Sequence, residues 1–147
     1  MEQTLFLLKP DAMERGLAGV IINRLERAGL KIVNCRYCCP TRDFLRLHYA
    51  DLEGRNPLAF ERGTRCMADK PFLAIVFKGC NAIQKTRMLV GATDPGKAPA
   101  GTIRGDFSCD SLEVANIENR ATYNLVHASD SPETAKREIE LWFPTAK

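Results

Sequence analysis

Thr4-Leu5-Phe6-Leu7-Leu8-Lys9-Pro10 decides where the fold begins. Four apolar side chains in succession leave no polar face for water, so the run predicts a buried strand over Thr4 to Lys9, stopped by Pro10. Outward from it, Gly16 to Ala28 predicts a helix with Leu17, Val20, Ile21 and Leu25 on one stripe and Gly29 as its C-terminal stop. Leu30 to Cys39 reads as a second strand. Thr41 can cap a helix through Phe44, Leu45 and His48, and a further helical stretch falls within Pro57 to Met67. Pro71 to Phe77 is the third strand and Ala82 to Val90 the next helix. Asn124 to Ala128 is the last strand, followed by a helix capped by Asp130 or Ser131, with Pro132 in its first turn and Ala135, Ile139, Trp142 and Phe143 on its apolar face. This order predicts an α/β (α+β) sandwich of the split βαβ kind, with helices over an antiparallel sheet. Gly91 to Tyr123 interrupts it with crowded Gly, Pro, Thr and Asp and weak periodicity, a long loop of the functional kind in which Ser111 to Ile117 has some helical character.

Composition restricts the function classes. A chain of 147 residues can bury about two-thirds of the surface its unfolded form exposes, and one domain over 1–147 is the expectation. The longest apolar run, Phe72 to Phe77, is too short to cross a bilayer, and Met1-Glu2-Gln3 leads into a strand where a secretory signal needs a basic start. The expected location is the cytoplasm, with no membrane association. A net charge of +3, with no segment interleaving cations and aromatics, argues against a dedicated nucleic-acid surface and suits a small anionic substrate.

Three signals point elsewhere and fail on chemistry. Among the six cysteines the only close pair, Cys35 and Cys38, would fall on opposite faces of a strand, so buried free thiols are expected rather than a metal site. Gly91-Ala92-Thr93-Asp94-Pro95-Gly96-Lys97-Ala98 nearly spells a phosphate loop, but Ala98 stands where a hydroxyl must hold magnesium, and Pro99 follows where a helix must open. Arg104-Gly105-Asp106 spells a cell-adhesion tripeptide, for which a cytosolic chain offers no context.

With a phosphate loop excluded, side chains have to hold any phosphate. His127, one of two histidines, stands where the last strand runs into a helix start. A histidine at a strand end is ordinarily a hydrogen-bonded structural residue, yet neutral imidazole is a good nucleophile and this one keeps suggestive company. Arg87 and Arg104 offer planar donor forks for phosphate oxygens, and Lys9 offers a point charge at the end of the first strand. Arg87 on a helix would ordinarily be a solvated charge, whereas Arg104, close to Gly101 and Gly105, is harder to read that way.

Lys9-Pro10-Asp11, His48-Tyr49, Thr102-Ile103-Arg104-Gly105-Asp106-Phe107, Asn124 to Ser131 and Trp142-Phe143 together resemble the nucleoside diphosphate kinase family over nearly the whole chain. The resemblance implies a ferredoxin-like fold with a four-stranded antiparallel sheet. It also implies ping-pong transfer of the γ-phosphate from a nucleoside triphosphate to a nucleoside diphosphate through a phosphohistidine at His127. By the same resemblance Glu138 orients the imidazole, Arg87, Thr93 and Arg104 bind phosphates, Lys9 and Asn124 contact the ribose hydroxyls and the transferred group, and Tyr49 lines the site. Mg2+ is expected to arrive on the phosphates, with Asp130 reaching it through water and no direct protein ligand.

The sequence departs from the family pattern in three places. Members usually place a base-stacking phenylalanine after the Asp-Leu segment, where this chain reads Gly54-Arg55-Asn56-Pro57-Leu58-Ala59-Phe60; Phe60 is the candidate, with Leu58 as the alternative. Ser108 to Tyr123 is longer than usual and is expected at the rim of the nucleotide site. Lys147 follows shortly after Trp142-Phe143-Pro144, where relatives carry a further tail. A homo-oligomer, hexamer or tetramer, is nevertheless expected. The competing reading is a catalytically weak nucleotide-binding or phosphohistidine-carrying interaction module, which would have no need of both the nucleophile and its orienting carboxylate.

Overall fold

The computed structural model describes residues 1–145, so the expectation attached to Lys147 lies outside the described residues. Its sheet has the order β2-β3-β1-β4, all antiparallel, built from β1 (Glu2–Leu8), β2 (Lys31–Cys38), β3 (Phe72–Gly79) and β4 (Val126–Ala128). Between them run α1 (Pro10–Glu14), α2 (Ala18–Arg27), α3 (Arg42–His48), α4 (Ala50–Arg55), α5 (Pro57–Met67), α6 (Ala82–Val90), α7 (Ile103–Phe107), α8 (Leu112–Ile117) and α9 (Pro132–Trp142), with a 3-10 turn at Pro95–Lys97. This is the ferredoxin-like arrangement of the split βαβ type.

The unbroken apolar run of β1 follows from its central position between β3 and β4. Side chains alternate across the sheet, so Phe6 and Leu8 pack with Ile75, Phe77, Ile21 and Leu25 on one face. Leu5 and Leu7 pack with Leu45, Phe72, Met67 and Trp142 on the other. The bounds of α6 coincide with those expected, α5 fills the whole stretch within which a helix was expected, and Thr41, Ser111 and Ser131 each accept a hydrogen bond from the backbone N–H three residues on.

Two expectations need correction. Val20 is 42% exposed, because the buried stripe of α2 narrows to Ile21 and Leu25. The thiols are not buried: Cys35, Cys39, Cys80 and Cys109 are exposed, and Cys38 and Cys66 are only half-buried. The strand carrying Cys35 and Cys38 is the free edge β2, and the two apolar clusters centre on β1 and β3, so β2 keeps its side chains open to solvent.

Candidate active site

His127 owes its direction to register. It stands opposite Leu7 in the β4–β1 ladder, and residues paired across antiparallel strands share a face. His127 therefore projects to the side covered by α3 and α9. There its Nε2 lies 3.0 Å from each carboxylate oxygen of Glu138, which is buried on the inner stripe of α9. Ser129, one strand step beyond, donates its hydroxyl to Glu138 at 2.6 Å and fixes the carboxylate in turn. A carboxylate at Nε2 demands the proton there, so the lone pair falls on Nδ1, which has no partner among the described residues.

The ring of His48 meets that of His127 edge to face at 4.5 Å between centroids. Trp142 Nε1–H donates to His48 Nδ1 at 3.0 Å, which places the His48 proton on Nε2. Burial, with the charges of His127, Arg137 and Lys9 behind it, holds the His48 pKa well below its ordinary value and keeps the ring neutral. His48, His127 and Glu138 bring ligand-type atoms within 4.8 Å of one another, but with these bonds in place neither imidazole offers its engaged nitrogen to a metal. They form two hydrogen-bonded pairs, Trp142–His48 and His127–Glu138, in edge-to-face contact.

The strand that carries His127 is entered through a strained turn. Val126 N–H bonds back to the Asn124 carbonyl at 2.8 Å, and Leu125 between them has φ of 72°, a γ-turn of the uncommon positive-φ kind. Such a conformation costs on the order of 1–3 kcal/mol for a residue with a side chain and has to be imposed by its surroundings. Here Leu125 N–H donates to Asp11 Oδ2 at 2.9 Å, and Leu125 O accepts from Lys9 N–H at 2.9 Å. Arg104 completes the brace with Nε on Asn124 O at 3.0 Å, Nη2 on Val126 O at 2.7 Å and Nη1 on Gly91 O at 3.3 Å. Its planar fork is what allows one side chain to reach three carbonyls.

The sequence-predicted residues converge on one cavity of about 470 Å³. Lys9, Tyr49, Arg87, Thr93, Arg104, Asn124, His127, Asp130 and Glu138 all line it. Lys9 Nζ donates to Asn124 Oδ1 at 2.5 Å, and Asn124 Nδ2 donates to the Thr93 carbonyl at 3.0 Å. Burial lowers the Lys9 pKa to about 8, against the opposing pull of Asp11. Burial, with Arg87 nearby, brings Arg104 down to about 10, which leaves it charged at neutral pH. Tyr49 is pushed up, by burial first and Glu138 second, so its phenol keeps its proton. Arg87 is exposed and makes no hydrogen bond or ion pair among the described residues, so its donors face the cavity unspent.

Phe60 is the exception. Its side chain is buried at 9% exposure outside the cavity lining, and Leu58 stands 53% exposed on the surface, also outside it. Pro57 opens α5 and Asn56 caps it by accepting from Ala59 N–H, a phase that turns Ala59 to the cavity and Phe60 to the interior. Apolar contact on that side comes instead from Leu52, Ala59 and Leu112. The long segment does form a wall of the cavity: Leu112, Asn116, Arg120, Ala121 and Thr122 all face it. Arg120 is held there by two hydrogen bonds to Asp110, at 2.8 and 3.1 Å, and lies 4.1 Å over the Tyr123 ring. His48 and Arg62 are cavity residues not foreseen in the sequence; a histidine beside a tyrosine was the only signal for the first, and a helix arginine is ordinarily solvated.

Comparison with known proteins agrees with this arrangement. The nucleoside diphosphate kinase family model matches residues 2–147. The nucleoside diphosphate kinase of Archaeoglobus fulgidus is 46% identical over 97% of this chain and 87% of its own length. Human nucleoside diphosphate kinase 3 is 43% identical over 97% of this chain and 77% of its own length. A nucleoside-diphosphate kinase from Borrelia burgdorferi, solved as a transition state mimic with bound vanadate and ADP, superposes with a TM-score of 0.94 at 36% identity, covering 97% of this chain and 86% of that one.

Proposed function

The chain belongs to the nucleoside diphosphate kinase family, and from that premise we propose that His127 Nδ1 is the atom that carries the phosphate. The enzyme transfers the γ-phosphate of a nucleoside triphosphate to a nucleoside diphosphate by a ping-pong route. The observation that carries the assignment is the pair of 3.0 Å contacts between His127 Nε2 and Glu138, which leave Nδ1 as the nitrogen with a free lone pair.

In the first half-reaction the Nδ1 lone pair attacks the γ-phosphorus, the bond from phosphorus to the β,γ-bridging oxygen breaks, and nucleoside diphosphate departs with that electron pair. The imidazole acquires positive charge as the N–P bond forms, and the Glu138 carboxylate, held by Ser129, stabilises it at Nε2. In the second half a terminal oxygen of another diphosphate attacks the same phosphorus and the N–P bond breaks. A loose phosphoryl transition state spreads charge over its equatorial oxygens. Arg87 and Lys9 meet that charge from the cavity walls, and Arg104 does so with donors not spent on the turn. Asn124, fixed between Lys9 and Thr93, and the neutral phenol of Tyr49 are placed to meet the ribose hydroxyls and the transferred group.

The donor set fits a magnesium ion carried by the phosphates. Magnesium prefers oxygen ligands, commonly one or two carboxylates plus substrate phosphates, and Asp130 offers an exposed carboxylate at the cavity rim. A bound ion would neutralise phosphate charge, and Asp130 is the residue that would hold it through water. The same reading treats residues 1–147 as one kinase unit and places it in the cytoplasm; no helix among the described residues is long and apolar enough to cross a membrane. A homo-oligomer, hexamer or tetramer, is proposed on family grounds and is checked by sedimentation. The weak-binding module is disfavoured, since such a module has no use for a nucleophile with its own ordered carboxylate.

The test is incubation with γ-labelled ATP and magnesium without acceptor. Acid-labile, base-stable label on His127 that leaves when a nucleoside diphosphate is added is the expected result. Nucleotide binding without label would overturn the assignment.

A further inference from the structure

We propose that Asp11 is a positioning residue for the phosphoryl transfer: from outside the cavity, without touching substrate, it sets the direction of His127 by holding the Leu125 turn. The inference rests on the transfer reading above and adds a residue to its machinery.

Lys9-Pro10-Asp11 clasps Leu125 by both of its backbone polar groups. Lys9 N–H donates to Leu125 O at 2.9 Å, and Asp11 Oδ2 accepts from Leu125 N–H at 2.9 Å. Pro10 opens α1, with Lys9 extended before it at φ of −82° and ψ of 169°, and the residues on either side of the proline reach the same turn. Lys9 sends its ammonium to Asn124 inside the cavity, whereas Asp11 lies outside the cavity lining.

The three holders of the turn are not interchangeable. Arg104 binds the carbonyls of Asn124 and Val126, and a guanidinium has no acceptor to offer an N–H. Lys9 engages the Leu125 carbonyl through its backbone N–H, again as a donor. Asp11 is the one acceptor for Leu125 N–H among the described residues. Leu125 is fully buried, so loss of that acceptor leaves its N–H unpaired at a φ of 72°, which a residue with a side chain adopts only when it is held there. Relaxation toward negative φ breaks the 2.8 Å bond from Val126 N–H to Asn124 O.

The nucleophile follows at once. Val126 and His127 are the first two rungs of the β4–β1 ladder, opposite Leu8 and Leu7. A turn that relaxes carries the start of β4 with it and draws the imidazole off Glu138. A misplacement of about 1 Å in a reacting group costs roughly a hundredfold in rate, while Tyr49, Arg87 and Thr93 stand on other segments and still hold the nucleotide.

The experiment compares Asp11→Asn with Asp11→Ala in the full chain. Both variants remove the negative charge that Asp11 places beside Lys9, so effects through Lys9 are common to them. Only asparagine keeps a side-chain oxygen for Leu125 N–H. The rate constant for label transfer from γ-labelled ATP to His127 is measured in a single turnover, and ADP affinity by displacement of N-methylanthraniloyl-ADP. Asp11→Ala is expected to label roughly ten- to a hundredfold more slowly than Asp11→Asn, with ADP affinities within about twofold of each other. A merely structural aspartate would lower the melting temperature and the fraction of protein labelled, and would leave the rate constant of the folded fraction alone. Equal rate constants in the two variants, with a labelled wild type, overturn the inference and spare the transfer reading. Should Asp11→Ala not fold, amide hydrogen exchange in the wild type decides: Leu125 N–H is expected to exchange as slowly as Lys9 N–H, and exchange at the rate of an unbonded amide overturns the inference. A wild type that takes no label refutes the transfer reading, and the same exchange measurement then decides whether Asp11 holds the turn.

Discussion

The two ends of the cavity are built on opposite principles. Around His127 the groups that orient the ring and brace its turn have fixed partners: Glu138 on Nε2, Ser129 on Glu138, Asn124 on Lys9, and three backbone carbonyls on Arg104. At the far end Arg62 and Asn116 are paired with each other but keep unspent donors, and a wall comes from the segment that carries Leu112, Asn116 and Arg120. The first end is set for one reaction on one group, the phosphate. The second holds the freedom to vary with the base.

The sharpest way to break this division is His127→Ala. Turnover and phosphohistidine label should vanish while nucleotide affinity changes little, because the ring reacts with phosphate more than it anchors it. A variant that retained turnover, measured in a coupled assay, would move the chemistry away from β4.

Arg104→Ala comes next, with turnover expected to fall by roughly two to four powers of ten, as for other phosphate-clamping arginines. The three carbonyl contacts add a consequence the sequence did not suggest. Without the brace, the Leu125 turn loses bonds at Asn124 and Val126, so thermal stability should drop along with rate. Loss of rate at unchanged melting temperature would mean that Asp11 and Lys9 hold the turn unaided.

A smaller effect is expected from pH. Burial sets the Lys9 ammonium near 8, so its charge is complete below that value and is lost as pH rises through it. KM for a nucleoside diphosphate should therefore climb severalfold above about pH 8, and the climb should be absent in Lys9→Arg, whose guanidinium stays charged. The sign for stability is the reverse: a cation with a depressed folded pKa opposes folding most below that pKa, and the penalty eases as pH rises toward the unfolded value of 10.5.

How much of this was legible in the sequence follows the same division. The phosphate end depends on residue types that announce their chemistry, and Lys9, Arg87, Arg104, Asn124, His127 and Glu138 all reach one cavity. Long periodic elements were readable too: α6 matches its expected bounds, and α5 fills the whole stretch within which a helix was expected. Helices α1 and α4 were not, because five or six residues are too few to show a period. The γ-turn was hidden because leucine carries no signal for positive φ; the strain is imposed by Asp11, Lys9 and Arg104 from distant parts of the chain. Phe60 misled because aromatic character is visible in sequence and helix phase at a proline-opened start is not.

The smallest expected effect separates the two leucines that compete for the base. Leu112, on α8, lines the cavity, whereas Leu58 is more exposed and lies outside it. Truncating Leu112 to alanine removes carbons that a bound base would cover only in part, about 1 kcal/mol of apolar contact, so KM should rise about fivefold with turnover number unchanged. Leu58→Ala should leave both constants where they are, since its side chain meets solvent with or without nucleotide. Equal losses from the two variants would put the tip of α5 against the base and remove the wall assigned to the long segment. A loss from Leu112→Ala alone would establish that this segment, and not the tip of α5, supplies the apolar contact at the end of the cavity away from His127.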